Sequence, residues 1–264
     1  MGEYNFVSLL NAVSNERGAP NAKFSKHHLN IDGGNNAEIE DFPYVASVQY
    51  CPFACTHVCT ALIINENWVL TGANCIASIS AQKVDVGASD LTQDDKVTVD
   101  IEAEFIHPDA PSDGFGPNDL ALLKLSQPLT FNDKVQAAKL PKQGQEFTGI
   151  ANVTGFGNSK FSVRNDLRTA RDVTLISNDD CTKAINEIFP DVYSNVDEKS
   201  NLCTLSKTAN SCDGDLGGPL SQDGTVIGVV TWHLKPCGYR GIPTVYTKLS
   251  NFMDWIEKTI TENK

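Results

Sequence analysis

Eight cysteines in 264 residues constrain this chain more than any other feature. They are even in number. Cys51 and Cys55 form a C-x₃-C pair, but no second His/Cys pair stands at zinc-finger spacing, so metal is not expected. Disulfides are expected instead, with Cys51 and Cys55 closing a small loop of their own. Persistent disulfides need an oxidising compartment, which implies secretion into an extracellular space. The count alone leaves many pairings open among the eight.

The stretches between the cysteines are mostly short apolar runs bounded by turn residues. Tyr44 to Tyr50 alternates with period 2, as a strand does. Leu62-Ile63-Ile64, Trp68-Val69-Leu70, Leu120 to Leu123 and Thr225 to Thr231 are short enough for buried strands of a barrel. Two helices are expected. Cys181, Ala184, Ile185 and Ile188 share one helical face, and the tail from Ser250 places Phe252, Trp255, Ile256 and Ile260 on one stripe. Ser250 is the candidate N-cap of that tail. No run is long and apolar enough for a membrane helix. Residues 1–30 are polar and irregular, and Phe6 to Leu10 is too short for a signal core. A flexible pro-segment over 1–30, its signal removed, and one domain over 31–264 are the expected organisation.

Three motifs carry the chemistry. Asn210-Ser211-Cys212-Asp213-Gly214-Asp215-Leu216-Gly217-Gly218-Pro219 resembles the G-D-S-G-G-P nucleophile loop of chymotrypsin-like serine proteases, with Leu216 in the serine's place. Asn67-Trp68-Val69-Leu70-Thr71-Gly72-Ala73-Asn74-Cys75 resembles their W-V-L-T-A-A-H-C segment, with Asn74 in place of the general base. Asn118-Asp119-Leu120-Ala121-Leu122-Leu123 resembles N-D-I-A-L-L, and Asp119 keeps the orienting carboxylate. A leucine side chain has no lone pair with which to attack a carbonyl. An amide does not take up a proton near neutral pH. Asp119 therefore has no histidine to orient. The catalytic set is expected to be empty and the chain not to be an enzyme.

The resemblance spans 31–264 and implies two six-stranded antiparallel β-barrels with a C-terminal α-helix, an all-β trypsin-like fold. It implies further roles residue by residue. Gly214 and Leu216 would supply the amides of the former oxyanion hole. Asn210 stands where trypsin-like members carry an aspartate at the base of the specificity pocket. Thr231-Trp232-His233 resembles the S-W-G segment that pairs with substrate backbone, so His233 puts an imidazole where substrate passes. Thr244 adds bulk where the family has glycine. Ile31-Asp32-Gly33-Gly34 resembles the I-V-G-G start of the mature enzymes, whose freed ammonium pairs with the aspartate at Asp215. Asn30 precedes it, so a trypsin-like activator has no cut site. The implied disulfides are Cys59–Cys75, Cys181–Cys203 and Cys212–Cys237, with Cys51–Cys55 outside the common pattern.

Within the family, the degenerate triad resembles the inactivated serine protease paralogues of the scabies mite, related to mite group 3 allergens. That resemblance implies secretion, with the gut lumen as one compartment, and binding to host serum proteins, complement components among them. Two other readings compete: a decoy that sequesters substrates or inhibitors, and a residual weak hydrolase working through the oxyanion amides. No cofactor or metal is implied. The net charge, 21 minus 33 or −12, argues against nucleic acid and anionic membrane as partners. A monomer is expected. The sequon Asn152-Val153-Thr154 falls on a strand that the family buries, so a glycan at Asn152 is not expected. His27, His28, His57 and His107 have no ligand spacing, and solvated or structural roles are expected for them.

Overall fold

The strand Val45–Tyr50 (β2) is buried along five of its six residues, although its sequence alternates apolar and polar. Ser47 and Gln49 do not face water as simple alternation predicts. They are turned inward, where hydrogen bonds satisfy them. This computed structural model describes residues 31, 34–77, 81–111, 116–157, 165–188, 190, 196–207, 209–233 and 241–264. The proposed pro-segment, Asn30, Asp32, Gly33 and Cys237 lie outside the described residues.

β2 opens the first barrel. It pairs with Thr56–Asn65 (β3), which continues through Trp68–Thr71 (β4), Ala121–Leu125 (β7), Val97–Ile106 (β6) and Lys83–Val86 (β5). β5 returns to β2, so the sheet closes without an edge. The second ring runs Ile150–Gly155 (β8), Arg168–Ile176 (β9), Asn201–Leu205 (β10), Thr244–Lys248 (β13), Thr225–His233 (β12) and Pro219–Gln222 (β11). β11 pairs back with β8 and closes it. Asn35–Asn36 (β1) adds a short edge to β9. All pairings are antiparallel, so the architecture is two six-stranded barrels.

Each barrel is filled by its own inward residues. Val48, Ala61, Ile63, Val69, Val84 and Leu123 fill the first. Val153, Leu220, Ile227, Val230 and Tyr246 fill the second. A third cluster, with Leu62, Leu70, Leu122, Val229, Phe252 and Ile256, seats the C-terminal helix Met253–Glu262 where the barrels meet. Each such side chain contributes about 1.5–3 kcal/mol when fully buried. Ser250 does not cap this helix. It sits in a 3-10 turn, Leu249–Asn251, and is buried, while Phe252 occupies the cap position with no side-chain bond. The helix Asn178–Ile188 buries Cys181 and Ile185, but Ile188 at its end is exposed.

Three disulfides join described residues. Cys59–Cys75 ties β3 to the helical turn Asn74–Ala77, and Cys181–Cys203 ties the 178–188 helix to β10. Cys51–Cys55 closes the β2–β3 hairpin. Cys212 is also disulfide-bonded. No helix among the described residues is long and apolar enough to cross a membrane.

Candidate functional site

The barrels present Asn74, Asp119 and Leu216 at their junction, each at the end of an element. Asn74 follows β4, Asp119 precedes β7 and Leu216 lies in the turn that leads into β11. The strand ends fix these positions, which is why residues far apart in sequence share one place.

Around Asp119 the polar groups form a connected set that reaches from the first barrel to the second. Asp119 is fully buried, and its Oδ1 accepts the backbone N–H of Asn74 at 2.8 Å. Its Oδ2 accepts a short hydrogen bond from Thr231 Oγ1. Its backbone carbonyl accepts Thr247 Oγ1 at 2.8 Å. Burial pushes the Asp119 carboxyl up to about 7, and the donors from Thr231, Asn74 and Ala73 pull against that shift. The Asn74 amide donates to the carbonyl of Thr231 at 2.6 Å. Its Oδ1 is buried without a partner. That carbonyl belongs to the segment expected to pair with substrate backbone, so Asn74 occupies an acceptor there.

On the second-barrel wall the turn 212–218 holds its shape through backbone bonds. Asp215 N–H donates to Cys212 O at 3.0 Å, Gly218 N–H to Asp215 O at 2.8 Å, and Gly217 N–H to Val230 O at 2.8 Å. Gly217 has φ +79° and lies so close to Thr71 and Thr60 that any Cβ would collide with them, so the turn requires glycine there. The Asp215 carboxylate is fully buried. It accepts from Gly157 N–H and Cys212 N–H, each at 2.9 Å. Burial pushes this carboxyl up to about 7, against those two N–H donors, and the neighbouring Asp213 adds to the rise. Ile31 is buried in the second barrel's cluster. Among the described residues no acceptor takes the N–H of Gly214 or Leu216.

Leu216 itself is partly buried. Its side chain packs against the apolar clusters of both barrels, and its carbonyl accepts Thr60 N–H at 2.9 Å. The other pocket residues lie close by. Asn210 is at the margin of burial and Thr244 is buried in β13, paired in register with His233. The His233 side chain is 5 % exposed, with Nε2 3.6 Å from Asp213 Oδ1. Neither His233 ring nitrogen has a hydrogen bond. Two surface hollows lie elsewhere, one around Trp68, Lys124 and Ile260 and one along the 178–188 helix. No cluster of potential metal ligands occurs among the described residues.

One arrangement went unread in the sequence. His57 stands between β2 and the 212–218 turn, with Ser47 Oγ 2.7 Å from Nδ1 and Gly214 O 3.0 Å from Nε2. Burial pulls the imidazole down to about 4, so it is neutral at pH 7. A carbonyl can only accept, so Nε2 carries the proton and Nδ1 accepts from Ser47. Gln49 Nε2 donates to Ser47 in turn at 2.7 Å. Thr60 Oγ1 adds a second donor to Gly214 O at 2.8 Å. Ser47 is fully buried, so its hydroxyl cannot meet a substrate, and the Ser–His pair acts as a brace. The 157 residues between His57 and Gly214 leave no local signal of this contact.

Asn152 lies within β8, in register with Ser221 of β11, where a glycan would stand against the ladder.

A family model described as Trypsin matches residues 31–256. The chain is 32 % identical over 252 residues to kallikrein 1-related peptidase b11 of Mus musculus, covering 88 % of this chain and 90 % of that protein. It is 33 % identical over 239 residues to a trypsin of Phaedon cochleariae, covering 88 % of each.

Proposed function

Because the chain belongs to the trypsin family, we propose that it is a catalytically silent, secreted member that acts by binding, with host serum proteins of a protease cascade, complement among them, as targets. The observation that carries this reading is the pair of replacements at the junction. Leu216 offers no nucleophile, and Asn74 offers no base and spends its amide on the Thr231 carbonyl. Loss of either partner alone costs about 10⁶-fold in a triad of this type. The near-buried His233 and the added Thr244 support loss of peptide binding in the old cleft as well. This is the pattern of the mite paralogues with replaced triads. Residues 1–30 would then be a pro-segment with no role as a trypsin-cut switch.

The disulfides fit secretion. A surface carrying net charge −12 favours basic protein partners over nucleic acid. The residual-hydrolase reading has one supporting feature, the unspent amides of Gly214 and Leu216, which alone would leave roughly 10³–10⁴-fold over water. The decoy reading needs an open cleft, which Asn74 and His233 oppose.

The test is a pull-down from host plasma on the immobilised chain, read by mass spectrometry against an active relative. Enrichment of complement recognition proteins, unaffected by benzamidine, supports the reading. Equal recovery on both proteins, or displacement by benzamidine, sinks it.

A further inference from the structure

We propose that the Cys51–Cys55 cystine is a thiol-exchange site, open to low-molecular-weight thiols while the Cys59–Cys75 and Cys181–Cys203 bridges stay oxidised. Cys55 is exposed and Cys51 half-buried, whereas the other described cysteines are closed to solvent: Cys59 is 4 % exposed, Cys75 2 %, Cys181 0 %, Cys203 0 % and Cys212 2 %. An attacking thiolate must reach a sulfur in line with the S–S bond, so access decides which bridge reacts. Pro52, Phe53 and Ala54 stand out into solvent around this bridge, Phe53 at 104 % exposure. From Tyr50 to His57 the sequence holds no acidic side chain to repel an incoming anion.

The fold depends on this bridge less than on the others. It spans only four residues, so the chain entropy that it removes from the unfolded state is smaller than that of the bridges spanning 16 and 22. The loop's base is held separately. Tyr50 pairs with Thr56 and Gln49 with His57, and Cys51 N–H donates to Gln82 Oε1 at 2.5 Å. His57, two residues beyond Cys55, stays braced to Ser47 and Gly214.

The exchange runs in two steps. A thiolate attacks Cys55 Sγ, the S–S bond breaks, and Cys51 leaves as a thiolate that takes a proton. A second thiol then attacks the mixed disulfide at the small molecule's sulfur, freeing the Cys55 thiol and the small disulfide. Two electrons pass from two thiols to the cystine. The consequence is local: Phe53 passes from a stapled loop to a free turn, while the barrels are unchanged.

Differential alkylation tests this on the full chain. Native protein is held in millimolar glutathione, quenched with N-ethylmaleimide at intervals and mapped by mass spectrometry. Label is expected at Cys51 and Cys55 roughly 10³-fold faster than at any buried cystine, which must wait for global opening. A C51S/C55S variant should lose the fast phase and lower the unfolding midpoint less than removal of the Cys59–Cys75 bridge does. Labelling of the buried cystines at a matching rate overturns the proposal, as does an absence of label below the unfolding transition. The wild-type map decides even if the variant does not fold.

Discussion

The two walls of the cleft carry different kinds of side chain at the triad positions. On the first-barrel wall the replacement is polar, because a buried carboxylate remains and its surroundings are hydrogen-bonded: Asn74 joins the set around Asp119 and Thr231. On the second-barrel wall it is apolar, because the position looks onto hydrocarbon: Leu216 packs on both barrels' clusters. The turn that carries Leu216 is shaped by backbone bonds and by the Asp215, His57 and Thr60 side chains, none of which involves the Leu216 side chain. The lesson is that each triad position carries a side chain matched to its immediate surroundings.

The sharpest way to break this comparison is to restore both walls. N74H/L216S is expected to gain fluorophosphonate labelling, read as an intact-mass shift, because Asp119, the turn and the open amides are still in place. N74H alone and L216S alone are expected to stay unlabelled, since one missing partner costs about 10⁶-fold. Labelling of L216S alone would show that Asn74 is not the block it is argued to be.

Stability comes next. Leu216→Ala should cost about 2 kcal/mol, at the low end for a leucine because the site is only partly buried. Urea unfolding should show a lower midpoint with an unchanged slope. Asn74→Ala should cost about 1 kcal/mol, the worth of one hydrogen bond, by the same measurement. A reversal of that order would mean that the polar wall, not the apolar one, holds the barrels together.

A further test concerns pH. Asp119 and Asp215 both sit at about 7 in the fold, against an ordinary carboxyl value near ~4 when unfolded. Between those values the native state holds protons that the unfolded chain has lost, so these two groups stabilise the fold less as pH rises toward 7. His57, at about 4 in the fold and ~6.5 unfolded, works the other way and gains with rising pH over that range. Asp119→Asn removes one of the two declining contributions and keeps an amide able to bond Thr231. Melting temperature measured from pH 4.5 to 7.5 should fall less steeply in D119N than in wild type. Parallel curves would rule out Asp119 as a titrating group in this window.

The sequence made the frame of the cleft legible and its detail much less so. The motifs around Asn74, Asp119 and Leu216 carry a family resemblance that implies two closed barrels. Ser250 looked like a helix cap because serine before an amphipathic run usually is one. In the fold a 3-10 turn intervenes and buries it. Alternation in β2 marked a strand, but not that Ser47 and Gln49 are consumed by the brace to His57. Such contacts join residues brought together only by barrel closure, and no window along the chain contains them. The direction of the Asn74 amide is of the same kind, because it depends on a carbonyl 157 residues away.

The seat of Leu216 between two apolar clusters has an evolutionary meaning. A single reversion to serine would sacrifice packing at once and return no chemistry while Asn74 remains. Each step back is uphill before the last one is taken, so under the proposed function the two replacements lock each other in place.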